Sequence, residues 1–349
     1  MESGTECATH YPGGLPETPD HSPAEKKENP DLSQITAIPQ MVIREFEDWN
    51  GVSRLAYSPQ MPMPDHRQEK PLHAWIDGAI VAADSPTLPL LDQSYLSGMG
   101  AFETIRVEGG VPLFLDAHHQ RLQASAGCFQ LPVPRVDTIR KGILQLLSGQ
   151  GVQTARVRLT VSGSIGSDGT PFRFGGPVRT TILAFPLSYN VAAPARCITA
   201  PYRIDPDQPL AGHKCTSYAL HAMAVHHARS RGGDEALMLN RHGEVAGGAT
   251  GNIFWVADER VFTPDICCGC REGVTRERVI GACGELGIAL ETTRTMPASL
   301  SQADEIFTTS AIRGLRPVAS LDGVDYPAGA VARRIRAVLM REEKRVIHG

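Results

Sequence analysis

The sequence has no surplus of positive charge. Its 34 lysines and arginines stand against 38 acidic residues, a formal net charge of −4, and no basic block is present to meet a nucleic acid or an anionic membrane surface. A small-molecule substrate is therefore expected. No apolar run approaches the ~20 residues that span a bilayer, and the first residues (MESGTECATHYPGG) are polar without an apolar centre, so neither a membrane helix nor a signal peptide is expected. The eight cysteines are scattered without a framework, which excludes a disulfide-stapled secreted fold and points to reduced thiols in a cytoplasmic protein. Cys267-Cys268-Gly269-Cys270 holds one CxxC spacing with no second pair, and His226-His227 lies outside any HExxH, so no metal is expected. No repeat of solenoid period is visible.

What is present suits a globular enzyme. With 349 residues, 42% of them hydrophobic, the chain is long enough for two domains with real cores. Residues 1–70 are rich in Pro, Glu, Asp, Lys and Ser, and are read as a mostly disordered or irregular extension with a short ordered piece at MVIREFEDW. A hairpin is expected where HAWI meets Asp77-Gly78 and resumes as AIVAA, and a second strand pair at AFETIRV and VPLFL across Glu108-Gly109-Gly110. Helical periodicity follows in DAHHQRLQASAGCFQL and VDTIRKGILQLLSG, then alternation in ARVRLTVSG and RTTILAFPL. Residues 71–187 thus read as a small α+β domain, 188–195 as a linker, and 196–349 as a larger domain. In the larger domain strands are expected at RCITAPY, EALMLN, NIFWVAD, RVFTP and EIFTTS, and helices from Tyr218, Thr275 and Ala328.

One stretch, His213-Lys214-Cys215-Thr216-Ser217-Tyr218, places a lysine after the turn-rich DPDQPLAG and before a helical pattern. Partial desolvation at such a junction lowers an amine's pKa and frees it as a nucleophile.

Five blocks carry a resemblance: LDQSYLSGMGAFETIRVEGGVPLFLDAHHQRLQASA, HKCTSYAL, GEVAGGATGNIFWV, FTP with EGVTRERVI, and ADEIFTTSAIRGLRPV. In order and spacing they resemble the fold-type IV pyridoxal-phosphate enzymes, which include branched-chain and D-amino-acid aminotransferases and aminodeoxychorismate lyase. The resemblance runs from about Trp75 to Val346 and implies a two-domain α+β architecture, pyridoxal 5'-phosphate at the domain interface, an amino-acid-like substrate and a homodimer. It implies that Lys214 is the catalytic residue that binds the cofactor aldehyde. It implies phosphate contacts from Arg121 in HxxRL, from Val274 and Thr275 at a helix start, and from Ser310 and Ala311 at a strand end; a guanidinium fork and free helix amides both suit phosphate. The resemblance also implies that Tyr218 lies near the cofactor ring oxygen. SAIRGLRPV is more like the lyases than the branched-chain enzymes, so a lyase-like reaction is expected, with branched-chain or D-amino-acid transamination as the alternative.

The family pattern is broken at three positions. Gly247 stands in Val245-Ala246-Gly247-Gly248 where relatives carry a glutamate for the pyridine nitrogen, and strand alternation turns Glu244 the other way. The altered ring environment opens a further reading, a cofactor-binding homologue with impaired catalysis. Ser162 replaces a frequent arginine and Met99 a frequent aspartate. A substrate carboxylate still needs a cation, and Arg313 or Arg316 in SAIRGLRPV, Arg106 and Arg158 are the candidates, Arg313 first.

Overall fold

The structure is a computed structural model that describes residues 46–47, 53–54, 73–82, 89–163, 174–187 and 193–349. The expected extension 1–70, but for two short strands, and residues 188–192 of the expected linker lie outside the described residues. The chain divides into two compact units, 1–66 and 67–349. In the first, β1 (Phe46–Glu47) and β2 (Ser53–Arg54) form an antiparallel pair. All that follows concerns the second.

A six-stranded antiparallel sheet comes first. It contains β3 (His73–Ile76), β4 (Ala79–Ala82), β5 (Gly100–Glu108), β6 (Val111–Pro112), β7 (Ala155–Gly163) and β8 (Val178–Pro186), in the order β4-β3-β8-β7-β5-β6. The hairpin across Asp77-Gly78 forms as the turn chemistry requires. On the face covered by α2 (Leu115–Gly127) and α3 (Val136–Gln150), Ile105, Val107, Val157, Leu159 and Val161 pack with Leu122, Ile139 and Ile143. Strand alternation then assigns the rest: Glu103 shares the core face, whereas Phe102, Arg158 and Ser162 face the other way. The expected strand at VPLFL stops at Pro112, because Phe114 adopts φ +52° and turns the chain into α2. A short α1 (Gln93–Ser97) precedes β5, capped by the Asp92 carboxylate.

The second sheet has nine strands: β9 (Ala195–Ile204), β10 (Glu235–Asn240), β11 (Val245–Gly248), β12 (Asn252–Ala257), β13 (Arg260–Pro264), β14 (Leu290–Thr293), β15 (Glu305–Ser310), β16 (Gly314–Leu321) and β17 (Val324–Asp325). They run β11-β10-β9-β16-β15-β12-β13-β14, with β17 paired to β16. Helices α5 (Val274–Leu286) and α6 (Ala330–His348) cover one side of it through Val279, Ala282, Ile335 and Leu339 against Phe254, Phe307 and Leu315. The Glu305 carboxylate reaches from β15 to cap α6, accepting from the amides of Val331 and Ala332. On another part of the sheet α4 (Ala219–Arg229) packs through Ala224 and Ala228 against Ala200, Ala236 and Met238. The expected strand 305–310 pairs with β12 on one side and on the other with β16, which turns back within SAIRGLRPV. No helix among the described residues is long and apolar enough to cross a membrane.

Candidate active site

Lys214 lies on a strap laid against the end of β5. Its backbone amide donates to Ser125 Oγ of α2 at 2.9 Å and its carbonyl accepts from the Phe102 amide at 3.0 Å. Cys215 bridges Ala101, and the Thr216 amide donates to the Gly100 carbonyl at 2.8 Å. Main-chain bonds on both sides thus fix the lysine before α4 begins. Its Nζ sits 4.1 Å from the Phe102 ring centroid and 5.4 Å from that of Tyr218. It is buried, and no carboxylate lies within ion-pairing reach among the described residues. Burial, then the charge of Arg271, hold its pKa well below the usual lysine range; Arg121 and Arg158 push the same way against the opposing charge of Glu103.

Through the core face of β5 the pattern is reversed. The HxxR spacing sets His118 and Arg121 on one side of α2, and both meet Glu103. The Arg121 fork donates through Nε and Nη2 to the two carboxylate oxygens, each at 2.7 Å, and His118 Nδ1 donates at 2.8 Å. Burial alone would raise the Glu103 pKa, but the Arg121 charge and hydrogen bonds, followed by His118, hold it far below the carboxylate range. Burial keeps His118 on the neutral side. Arg121 Nη1 is left to reach the Glu272 carbonyl at 3.3 Å, two residues before α5.

Val274 and Thr275 open α5 behind Gly273, and the amides of a helix's first turn have no intrahelical acceptor. A cavity brings Val274, Thr275, Ser310 and Ala311 together, with His118 and Arg106 also on its wall. Gly273 is required there, because a Cβ would stand 2.0 Å from Asn252 Oδ1. The amides, the hydroxyl and the arginine edge next to Glu272 have the donor chemistry for a phosphate. By its chemistry this donor set fits the phosphate of pyridoxal 5'-phosphate and Lys214 its aldehyde; Lys214 and Arg121 stand outside the wall of that cavity.

The other expected residues are distributed as follows. Tyr218 stands edge-on to Phe102, and its hydroxyl donates to the Ala249 carbonyl at 3.0 Å. Arg158 sits over the Phe102 ring at 3.3 Å and donates through Nε to Thr160, with burial pushing it down to about 10. Arg106 is ion-paired with Glu343 of α6. Arg313 is exposed and lines a second cavity with Glu235, Thr250 and Arg316. Ser162 donates to the buried Asp92 carboxylate at 2.6 Å, and Met99 packs against the core. Glu244 is held by Asn240 and Arg294.

Gly247 lies beside a bulge between β10 and β11 and has φ +148°, a conformation that residues with a Cβ rarely adopt. Beside this turn lies Glu235, buried and holding the Thr250 hydroxyl and the amides of Ala236 and Thr250. Burial, opposed by these bonds, raises its pKa. Neither Glu235 nor Arg271 was among the residues expected from sequence. The signal for Glu235 was an acid opening the apolar run ALML of EALMLN; Arg271 had only its place three residues before a helix start.

The profile of the family described as Amino-transferase class IV matches residues 100–321. An aminodeoxychorismate lyase of Vibrio harveyi is 27% identical over 274 residues, 76% of this chain and 98% of that protein. A branched-chain-amino-acid aminotransferase of Escherichia coli K12 is 27% identical over 280 residues, 76% of this chain and 90% of that one. Among solved structures, the branched-chain aminotransferase of Thermoproteus uzoniensis with norvaline superposes with a TM-score of 0.71 at 29% identity, covering 78% of this chain and 97% of that one.

Proposed function

We propose, from the premise that this chain belongs to the class IV aminotransferase family and is a pyridoxal 5'-phosphate-dependent aminotransferase or lyase, that it acts on an amino-acid-like substrate through Lys214 in the manner of the aminodeoxychorismate lyases. The observation that carries this reading is the state of Lys214: a buried, main-chain-locked amine with aromatic rings for neighbours and a pKa well below the ordinary range.

The cofactor, when bound, supplies a carbonyl that takes up amines and a ring that delocalises negative charge from a substrate carbon. The chain's own residues supply the rest. Lys214 presents a neutral amine to that carbonyl and, once released, can take the proton from the substrate α-carbon. Val274 and Thr275 amides, the Ser310 hydroxyl and the outer edge of Arg121 hold the phosphate, Arg121 being kept in place by Glu103. Arg158, whose charge bears on Lys214, holds a substrate carboxylate. Tyr218 closes the side of the site next to Phe102.

The lyase-like subgroup rests on TTSAIRGLRPV and on lyases among the relatives. Purified protein incubated with pyridoxal phosphate is expected to show the visible absorption of lysine-bound cofactor and to release pyruvate from aminodeoxychorismate. Conversion of the cofactor to its amine form by branched-chain or D-amino acids, without pyruvate release, assigns transamination instead. A coloured protein inert to both supports impaired catalysis, with Gly247 as the structural ground. A homodimer is also proposed. Leu90, Leu91, Tyr95 and Leu96 are 74%, 56%, 63% and 52% exposed beside α1, an apolar cluster that a second subunit would cover; light scattering at the monomer mass would overturn it.

A further inference from the structure

Arg271 follows the 3-10 turn Ile266–Cys268 and precedes α5, and its carbonyl is fixed by Asn252 Nδ2 at 2.7 Å. Its side chain turns toward the lysine. Nη1 reaches the Tyr218 hydroxyl at 3.4 Å, and the guanidinium carbon is 5.5 Å from the Tyr218 ring centroid. Nε is closed to solvent without a hydrogen-bond partner, and no carboxylate among the described residues pairs with the guanidinium. His221 stacks on Tyr218, centroids 4.4 Å apart and planes 9° from parallel, and its Nδ1 is likewise buried and unpartnered. Burial, then Arg271 and Lys214, push this imidazole down to about 4, so it is a neutral base at physiological pH and brings no acid to the group.

Three basic side chains, Lys214, His221 and Arg271, therefore meet around one tyrosine, and no carboxylate of the described residues is ion-paired with any of them. A partly buried guanidinium with an unmatched N–H is costly unless an anion arrives to pair with it. Its planar fork suits a carboxylate. Arg121 differs in the one respect that matters here, because its fork is already closed by Glu103.

We propose that Arg271 is the specificity-determining residue that holds a carboxylate of the substrate against the Tyr218–His221 stack, turning the substrate's reacting end toward Lys214. This rests on the functional reading above and adds a second anion-binding arginine to Arg158. Arg271 touches the substrate and takes no proton from it.

The test is calorimetric titration of the cofactor-loaded protein with 4-methylvalerate, a branched monocarboxylate, and with its neutral amide. Arg271→Gln should raise the carboxylate Kd by about tenfold or more, Arg271→Lys by less, and the amide should bind all three proteins alike. A carboxylate Kd within about twofold of wild type in Arg271→Gln, or no measurable carboxylate binding by wild type, overturns the assignment. So does a variant that keeps its carboxylate affinity but loses affinity for pyridoxal phosphate, since the guanidinium would then serve the cofactor. If wild type takes up no pyridoxal phosphate, the functional reading fails on its own. The same titration of the cofactor-free protein then decides Arg271: a carboxylate Kd that still depends on it supports the anion site, and one that does not overturns it.

Discussion

Glu103 and Lys214 lie on the two sides of β5, and water reaches neither freely: 0% of the carboxylate residue is exposed and 8% of the lysine. Their surroundings differ in kind. The acid has a bidentate guanidinium and an imidazole and stays ionised; the amine has two aromatic rings and neighbouring cations and is driven toward neutrality. Burial by itself does not decide the charge of a group; the partners supplied with it do. Alternation along β5 turns Glu103 to one face and Phe102, the ring against which the Lys214 amine rests, to the other.

The sharpest way to break this comparison is to remove each member in turn. Lys214→Ala is expected to cost ~10³-fold or more in activity and to abolish the visible absorption of bound cofactor, while the thermal midpoint of the cofactor-free protein holds or rises. A lower midpoint would mean that the amine has a stabilising partner. Glu103→Gln should do the opposite to stability, leaving Arg121 and His118 without their anion at a cost of ~3–5 kcal/mol in denaturant unfolding. Equal midpoints for wild type and variant would remove the basis for treating Glu103 as the anchor of Arg121.

Gly273→Ala should cost ~1–3 kcal/mol, because the new Cβ meets Asn252 Oδ1 at 2.0 Å, and should weaken pyridoxal phosphate binding with it. Stability unchanged in this variant would show that the α5 start tolerates a side chain.

The pH dependence separates the two groups more finely. Glu103 has a folded pKa below its unfolded value of ~4.3, so its contribution is complete above that value and is lost as pH falls below it. Lys214 also has a depressed folded pKa, so between that value and ~10.4 the unfolded chain binds the extra proton and stability rises with pH. Both slopes are positive but fall in different windows. Lys214→Ala should flatten the alkaline rise and leave the acid fall, and Glu103→Gln the reverse; unfolding curves from pH 3 to 10 check both. The smallest effect is expected from Arg313→Ala, whose exposed side chain should leave stability within ~0.5 kcal/mol and KM within about twofold.

Much of this site could be read before any coordinates. The HxxR spacing, the lysine after DPDQPLAG and the α5 start all rest on local pattern, and local pattern is what a sequence displays directly. Most of the helices, from DAHHQRLQASA to AVARRIRAVL, follow from the same periodicity. What escaped was set by long-range pairing. Arg121 looked like an unengaged phosphate ligand because Glu103, eighteen residues earlier, gives no sign in sequence of facing it. Arg271 could not be weighed, since its significance lies in Tyr218 and Lys214, more than fifty residues away. VPLFL read as a strand because its residues suit one; the left-handed turn at Phe114 overrides that preference.

The bulge beside Gly247 constrains what can be engineered there. An acid is not accommodated at this position by changing one residue, because Gly247→Glu would place an L side chain on a backbone at φ +148°. The hairpin of β10 and β11 would first have to shed its bulge and re-register. An acidic side chain at position 247 therefore takes at least two coordinated changes to install, one of them in the backbone path of the hairpin. Any variant programme aimed at this site has to treat glycine there as the fixed starting point.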